Sequence, residues 1–571
     1  MLDKLPTKIL QVVIEQRFLN LEDLINLSST CSGLRSFILQ NNVLWKKLYL
    51  EKWSEIVENS FKIEDYFSEF RHGYKIHRNV DEILINLATE CIDKKQLSDT
   101  DFEDLIQIID LRFLNREYIE HYLRQILNDH SEINTSEIIS LKTPGNLTLK
   151  YYSLLTLHYL RHVHLQNYWT QFCSCKEKDQ LLEIGATLLN QWLNPQCVIK
   201  IENVRNQFDE ITEQVKNHLK TTKPNHPLFQ TSEDELKSWR NKNISENKFT
   251  SSDCCEILEA MKHVIFEIND FCTNESNVIE NQFISDVFES KRGGEISLAI
   301  IYEGVARRMG VHLDIVYTKN HNILLKLTKH DMNEEVCFVN VFEDVYEVGR
   351  IYSDPIIRIH AILSPKLVIK KMIEDISFIL TNRLQPLEQR VILIRSILEL
   401  NHVLNPDDFR VIRSLARYYI KHDINTTPLQ QLLRIKYYYN PKDSIDILCL
   451  LARGRGRSSE ERNKRVAPRF QAKFAVGMVM KHKKENYTCL IYQWKNILIR
   501  YNTIYDVLLG DGTKRSVNED DLMFSGVDTG LGNNPEIGRF FTHFFNHYYV
   551  PNSAQNNKFP RDSEIRISYP K

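Results

Sequence analysis

The groups in this chain able to do covalent, metal or phosphate chemistry are its thiols and its basic and aromatic clusters. The 11 cysteines are an odd, scattered set. Cys173 and Cys175 form a C-x-C pair and Cys254 and Cys255 are adjacent, but no second pair follows either at zinc-site spacing, so no metal is expected. Reduced thiols of this kind fit cytosol or nucleus. A second cluster joins Lys481, His482, Lys483 and Lys484 to Tyr487, Tyr492, Trp494 and Tyr505. Cations beside aromatic rings suit phosphate contact with base stacking, or anchoring of a peptide. Residues 471–551 carry nine Lys/Arg against eight Asp/Glu, which is too even for a strong grip on nucleic acid.

Elements must hold such groups in place. The run from Ile284 to Phe288, then Arg292-Gly293-Gly294-Glu295-Ile296-Ser297-Leu298-Ala299, reads as a loop feeding a helix, with Gly310 at the position of a C-terminal cap. Three strand candidates follow at 312–318, 322–328 and 335–342, each mixing β-branched and apolar residues. A helix followed by antiparallel strands is the core of a papain-like or transglutaminase-like fold. At the other end of the chain, Leu5-Pro6, Ile9, Leu10 and Val13 are followed by Asp23-Leu24, Leu27, Cys31, Leu34, Arg35, Leu44-Trp45 and Leu48-Tyr49. Apolar positions three and four apart predict three short helices, the second capped by Asn20 or Asp23.

The whole chain, at 571 residues with 42% hydrophobic and 26% charged content, has room for three or four domains. Its formal charge of −2 gives no global pull toward nucleic acid or anionic membrane. No apolar run reaches about eighteen residues, and the N-terminus lacks a signal-peptide layout, so an intracellular protein without a membrane segment is expected.

The N-terminal pattern, assigned to residues 1–55, resembles an F-box. The resemblance implies docking on an SKP-family adaptor of a cullin–RING ubiquitin ligase, through Leu5, Pro6, Ile9, Leu10, Val13, Leu24, Leu27, Leu44 and Trp45. Trp45 is ambiguous, since it also suits the core of the helical trio. Residues 56–245 alternate amphipathic helical stretches with polar breaks and read as a helical spacer.

Residues 246–375 resemble the SirB-type transglutaminase-like family. In enzymes of that wider fold a Cys at the helix start is activated by a His, which an Asp orients. The resemblance places His321 at the histidine and Asn340 at the Asp, while the helix start offers Gly294, Glu295 and Ile296. No cysteine lies between Cys272 and Cys337. Ser297 is the nearest hydroxyl, half a turn beyond the nucleophile position. A degenerate site of Glu295, Ser297, His321 and Asn340 on a fold kept for binding is expected, with no enzyme activity and no cofactor.

Residues 376–450 return to helix. Asn405-Pro406 and Asn440-Pro441 stand 35 positions apart, near the roughly 34-residue period of tetratricopeptide repeats. Residues 451–470 read as a basic linker. Residues 471–555, with Gly477, Asp511-Gly512 and alternating strands, resemble the small β-barrel-like YccV family, also named for hemimethylated DNA binding, and 556–571 form a tail. There, Lys481, His482, Lys483, Tyr487, Trp494 and Tyr505 form the candidate ligand surface.

The expected fold is multidomain and mainly α with α+β parts. This order of parts resembles substrate receptors of ubiquitin ligases, located in cytoplasm or nucleus, which present a protein substrate for degradation. Two other readings are a free-standing binding protein and a DNA-binding protein acting through the YccV-like module.

Overall fold

A computed structural model describes residues 20–57, 63–94, 96–140, 142–194, 199–273, 278–318, 323–328, 336–340, 345–349, 359–382, 387–458, 472–497 and 502–569. The chain divides into two compact units. One holds the described residues up to 156 with 475–477 and 537–569, and the other holds 157–474 and 478–536. No helix among the described residues is long and apolar enough to cross a membrane.

The first unit opens with α1 (Leu21–Thr30), α2 (Ser32–Gln40) and α3 (Asn42–Val57). Asn20 is the cap: its side chain accepts from Asp23 N at 2.9 Å, and the Asp23 carboxylate accepts from Asn20 N at 3.0 Å. Asp65 starts α4 (Tyr66–Glu90) by accepting from the Phe67 and Ser68 amides. Phe70, Ile76, Val80, Ile83, Leu84 and Leu87 give this helix one buried face at helical spacing. Gly73 lies on that face because a Cβ there would sit 2.7 Å from the Trp53 ring. α5 (Glu103–Asp110), α6 (Asn115–Leu127) and the first residues of α7 (Leu147–Ser174) follow.

In the second unit a single hydrophobic core runs from Leu165 to Leu404. It takes in α8 (Leu182–Leu193), α9 (Ile201–Thr222), α10 (Glu233–Asn241), α11 (Ser251–Lys262) and α12 (Ile284–Ser290). The spacer reading of 56–245 therefore needs correcting, because Trp169, Trp192 and Phe208 pack in one core with Ile296–Met309. At the centre lies α13 (Glu295–Arg308), buried at every residue from Ile296 to Arg308. Its chain reversal uses Gly310, at φ +78°, a conformation that costs other residues energy.

Besides the short parallel pair β1 (Cys272–Thr273) and β2 (Arg292–Gly293), this unit holds β3 (Asp314–Thr318), β4 (Ile323–Thr328), β5 (Val336–Asn340), β6 (Val345–Gly349) and β7 (Ile359–Ile362). These five form an antiparallel sheet in the order β6-β5-β4-β3-β7. The first three match the expected strands, and β6 and β7 extend the sheet at its two edges. Next come α14 (Pro365–Asn382) and α15 (Leu387–Leu404), then α16 (Phe409–His422), α17 (Thr427–Lys436) and α18 (Pro441–Ser458) around a small core of Ile412, Leu415, Leu429, Leu433, Ile447 and Leu451. The linker expected at 451–470 thus begins inside α18, and 459–471 lie outside the described residues.

A second antiparallel sheet joins β8 (Val479–His482), β9 (Thr488–Ile497), β10 (Asn502–Leu509), β11 (Lys514–Asn518) and β12 (Leu522–Phe524) in the order β11-β10-β9-β8-β12. The expected barrel is not closed among the described residues. β12 has three residues and gives all its pairing to β8, leaving none for β11.

The last elements belong to the first unit: α19 (Ile537–Phe540), the hairpin β13 (Phe541–Phe545) and β14 (Tyr548–Pro551), α20 (Ser553–Lys558) and α21 (Asp562–Ser568). The module expected over 471–555 is accordingly split after Glu536. Arg539 Nε donates to the Ile92 carbonyl at 2.9 Å and its Nη2 to that of Lys94, while Thr148 Oγ1 donates to the Phe541 carbonyl at 2.9 Å. Val476 N donates to Asp562 Oδ2, and Arg566 Nη1 donates to the Val476 carbonyl, each at 2.7 Å.

Candidate functional site

Of the expected docking residues, Leu5, Pro6, Ile9, Leu10 and Val13 lie outside the described residues. Leu24, Leu44 and Trp45 are buried and Leu27 is half-buried. Trp45 is a core residue. Its Nε1 donates to the Ile38 carbonyl at 2.8 Å, and its ring lies 4.9 Å from Phe67 and 5.2 Å from Phe70. Tyr49 and Trp53 extend this aromatic seam to Tyr118, with the Tyr49 and Tyr118 hydroxyls 2.6 Å apart and Tyr118 donating to Glu69 at 2.8 Å. Arg112 completes the chain by donating to Glu69 at 2.6 Å. Burial and these partners push the Tyr118 phenol far up, so it stays a neutral donor. The outward apolar residues of α1 and α3 are Ile25, 53% exposed, and Val43, 65% exposed. Linear spacing missed them because each sits beside a residue of the core stripe.

Around the start of α13 the candidate residues spend their polar atoms on backbone. Ser297 is fully buried, and its Oγ donates to the Gln282 carbonyl at 3.1 Å. Glu295 Oε2 accepts from Ile323 N at 3.3 Å, tying the helix start to the start of β4. Burial raises the Glu295 carboxyl above its ordinary range, and Asp375 adds to that while Lys371 opposes it. Lys371 and Asp375, 3.3 Å apart on α14, are parts of this neighbourhood that the sequence reading did not include. His321 lies outside the described residues, and for Asn340 only the backbone pairing with Val345 is described.

A histidine–carboxylate pair does exist, His312 Nε2 to Asp314 Oδ1 at 3.3 Å. It follows the C-terminal end of α13. At 1.5 Å per residue a helix of 14 residues puts it about 20 Å from the nucleophile end. Cys272, half-buried, is brought by the β1–β2 pairing to face Arg292, two residues before Gly294.

A buried ion network braces α13 against α8 and α9. Arg307 Nη2 lies 2.6 and 2.7 Å from the two oxygens of Glu183, Arg308 is 3.2 Å from Glu183 and 2.8 Å from Asp209, and Arg240 is 2.8 Å from Asp209. Burial alone would raise the Glu183 pKa, but the two guanidiniums hold it below its ordinary value.

One cluster among the described residues, His226, Asp253 and Glu256, has metal-ligand composition. Its groups are already engaged. His226 Nδ1 accepts from Leu228 N at 3.1 Å, Asp253 forms a capping box with Thr250, and Glu256 pairs with Lys223 at 2.8 Å. The arrangement is that of structural bonds.

The basic–aromatic cluster on the second sheet is likewise self-satisfied. Tyr505 is a core residue, its hydroxyl accepting from Phe474 N and donating to Glu519, each at 3.0 Å. His482 is buried and stacks on Tyr487 at 4.8 Å, and Arg515 lies 4.9 Å over the same ring. Lys483 Nζ donates to the Asp520 carbonyl, and Lys484 pairs with Asp521 at 3.0 Å. Lys481 and Trp494 are half-buried. As a ligand surface, the expected set loses Tyr505 and His482 to the core.

Residues 2–51 match the F-box-like family, and residues 202–395 match the transglutaminase-like superfamily. An F-box-like segment thus stands ahead of a transglutaminase-like domain. Over nearly its whole length the chain resembles F-box only protein 21. It is 22% identical over 607 residues to the protein of Pongo abelii, and also 22% identical to those of Homo sapiens and Mus musculus, covering 98% of this chain and 92% of each relative. No solved structure matches the chain. The transglutaminase-like match starts within α9 and ends within α15, in keeping with a core that crosses both expected boundaries at 245 and 375.

Proposed function

We propose that this protein is the substrate-recognition subunit of an SCF-type cullin–RING ubiquitin ligase, working in the cytoplasm or nucleus. The observation that carries the reading is the F-box-like match at residues 2–51, combined with similarity to F-box only protein 21 over 98% of the chain. The F-box docks on the SKP adaptor through Leu5, Pro6, Ile9, Leu10 and Val13, with Ile25 and Val43 as the outward apolar residues of the adjoining helices. The receptor performs no bond chemistry. It raises the effective concentration of a substrate lysine near a charged ubiquitin-conjugating enzyme. The transglutaminase-like domain serves as a binding fold without a nucleophile, a reading supported by the locked Ser297 hydroxyl and the distant His312–Asp314 pair. DNA binding through the second sheet has little support, since Lys483 and Lys484 are engaged within the chain.

The test is capture of SKP adaptor and cullin by the full chain, compared with a Leu5→Ala/Pro6→Ala variant and an Ile25→Asp/Val43→Asp variant. Point variants are preferable to a chain starting at Phe61, because that deletion strips Trp45, Tyr49 and Trp53 from the core of the first unit. Capture by the wild type and its loss in the folded Leu5→Ala/Pro6→Ala variant is the expected result. Equal capture by all three rules out this docking surface.

A further inference from the structure

The three-helix module α16–α18 is basic and carries exposed apolar side chains. Residues 409–453 hold eight Lys/Arg against three Asp/Glu, in a chain whose net charge is −2. Arg410, Arg413, Arg417 and Lys421 recur at spacings of three and four, which puts them in one stripe along α16. Asp408 holds Arg410 at 2.9 Å, and Arg413 reaches Asp443 and Asp446 on α18 at 3.6 and 3.9 Å. Among the described residues Arg417, Lys421, Arg434, Lys442 and Arg453 are exposed and have no carboxylate partner. Isolated cations on a surface need no explanation, but this module also shows water an apolar cluster. In the turn between α17 and α18, Tyr438 is 86% and Tyr439 88% exposed, flanked by Tyr437, Ile435 and Ile445, each at least 44% exposed. Exposed apolar residues on a basic module mark an interaction surface, and tyrosine with arginine is the composition of binding hot spots.

We infer that the module α16–α18 docks an acidic, hydrophobic polypeptide segment. The cations supply charge complementarity to Asp and Glu side chains, with arginine able to grip a carboxylate at two points. The tyrosines and isoleucines take the segment's apolar side chains. A nucleic-acid strand fits less well. Ile435 and Ile445 offer nothing to base stacking, whereas they suit the apolar side chains of a peptide. The proposal rests on the receptor reading for its use, naming the chemistry of the substrate that would be held. The two fail separately, because adaptor capture is read on the F-box variants and peptide binding on this module.

The experiment is fluorescence anisotropy with the full chain and two labelled probes, a short peptide alternating Glu with Leu and Phe, and oligo(dT) of equal length. The peptide is expected to bind with an affinity that falls as salt rises toward a Debye length of about 8 Å. Tyr438→Ser/Tyr439→Ser and Arg417→Glu/Lys421→Glu are each expected to weaken it by roughly tenfold or more. All four side chains are exposed, and an unchanged circular dichroism spectrum and melting profile identifies each variant as folded. Tighter binding of oligo(dT) than of the peptide overturns the inference. So does absence of peptide binding, or peptide binding that neither variant weakens.

Discussion

Replacing Trp45 separates two roles that a sequence pattern leaves merged, adaptor contact and internal support. Trp45 is 4% exposed, donates to the Ile38 carbonyl at 2.8 Å and packs on Phe67 and Phe70. Trp45→Ala removes a buried aromatic at a cost of about 3–5 kcal/mol, and loss of its hydrogen bond to the Ile38 carbonyl, which still accepts from Asn41 N, adds about 0.5–1 kcal/mol. Trp45→Phe keeps most of the ring and loses chiefly the hydrogen bond, so roughly 1–2 kcal/mol is expected. Because two units need not unfold together, a single melting temperature would mix them. Hydrogen exchange of the α1–α4 amides reads the opening energy of this region alone. Adaptor affinity, measured on the same samples, should change only by the fraction of molecules opened, which is small while the unit stays folded. An interface tryptophan behaves differently, since losing about 2 kcal/mol of contact weakens binding about 30-fold without loosening the fold. Unchanged exchange protection in Trp45→Ala together with such a loss of affinity would refute the core assignment.

Other outcomes follow from the same contacts. Glu183→Gln leaves Arg307 and Arg308 facing a neutral amide in the core, and chemical denaturation should show a loss of about 3–5 kcal/mol, against about 0.5 kcal/mol or less for exposed Glu82→Gln at the surface pair with Arg78. Glu303 is raised from 4.5 to about 6, first by burial and then by Glu183, with Arg307 and Arg308 opposing. Its folded form therefore holds the proton more strongly, so its contribution to stability declines as pH rises from 4.5 through 6. Glu303→Gln should remove about 2 kcal/mol of that decline, visible as a flatter stability–pH curve over the window. Arg539→Ala orphans the Ile92 and Lys94 carbonyls and should cost the first unit about 2–3 kcal/mol, measured by exchange of the amides near residues 92–94.

What the sequence made legible was local. The Asn20–Asp23 cap, the helix feeding an antiparallel sheet and the Gly310 reversal each follow from residue types a few positions apart. Strand β6 escaped because Val345–Gly349 is an edge strand whose apolar residues are interrupted by Glu347, and pattern reading favours unbroken β-branched and apolar runs. Membership of α8 and α9 in the central core was not readable at all. An amphipathic helix announces that it has a partner without naming it, and Glu183 and Arg307 stand 124 positions apart. At the α13 start the expected Glu295 and Ser297 were the right residues to inspect, but their hydrogen bonds to Ile323 and Gln282 depend on packing that spacing does not encode. Trp45 shows the same limit in reverse, since a pattern residue can be kept for the core that presents the surface.

The first unit is discontinuous, its helices joined by residues 537–569 through Arg539, Thr148 and the Asp562 and Arg566 contacts to Val476. During synthesis the leading helices leave the ribosome hundreds of residues before the segment that satisfies the Ile92, Lys94 and Thr135 carbonyls. Protein domains made of contiguous sequence fold as they emerge, N-terminal first, but this one has to wait for its own last residues. A stop before residue 537 yields a chain whose leading unit lacks its closing piece, so on the proposed receptor reading such fragments are poor competitors for an adaptor.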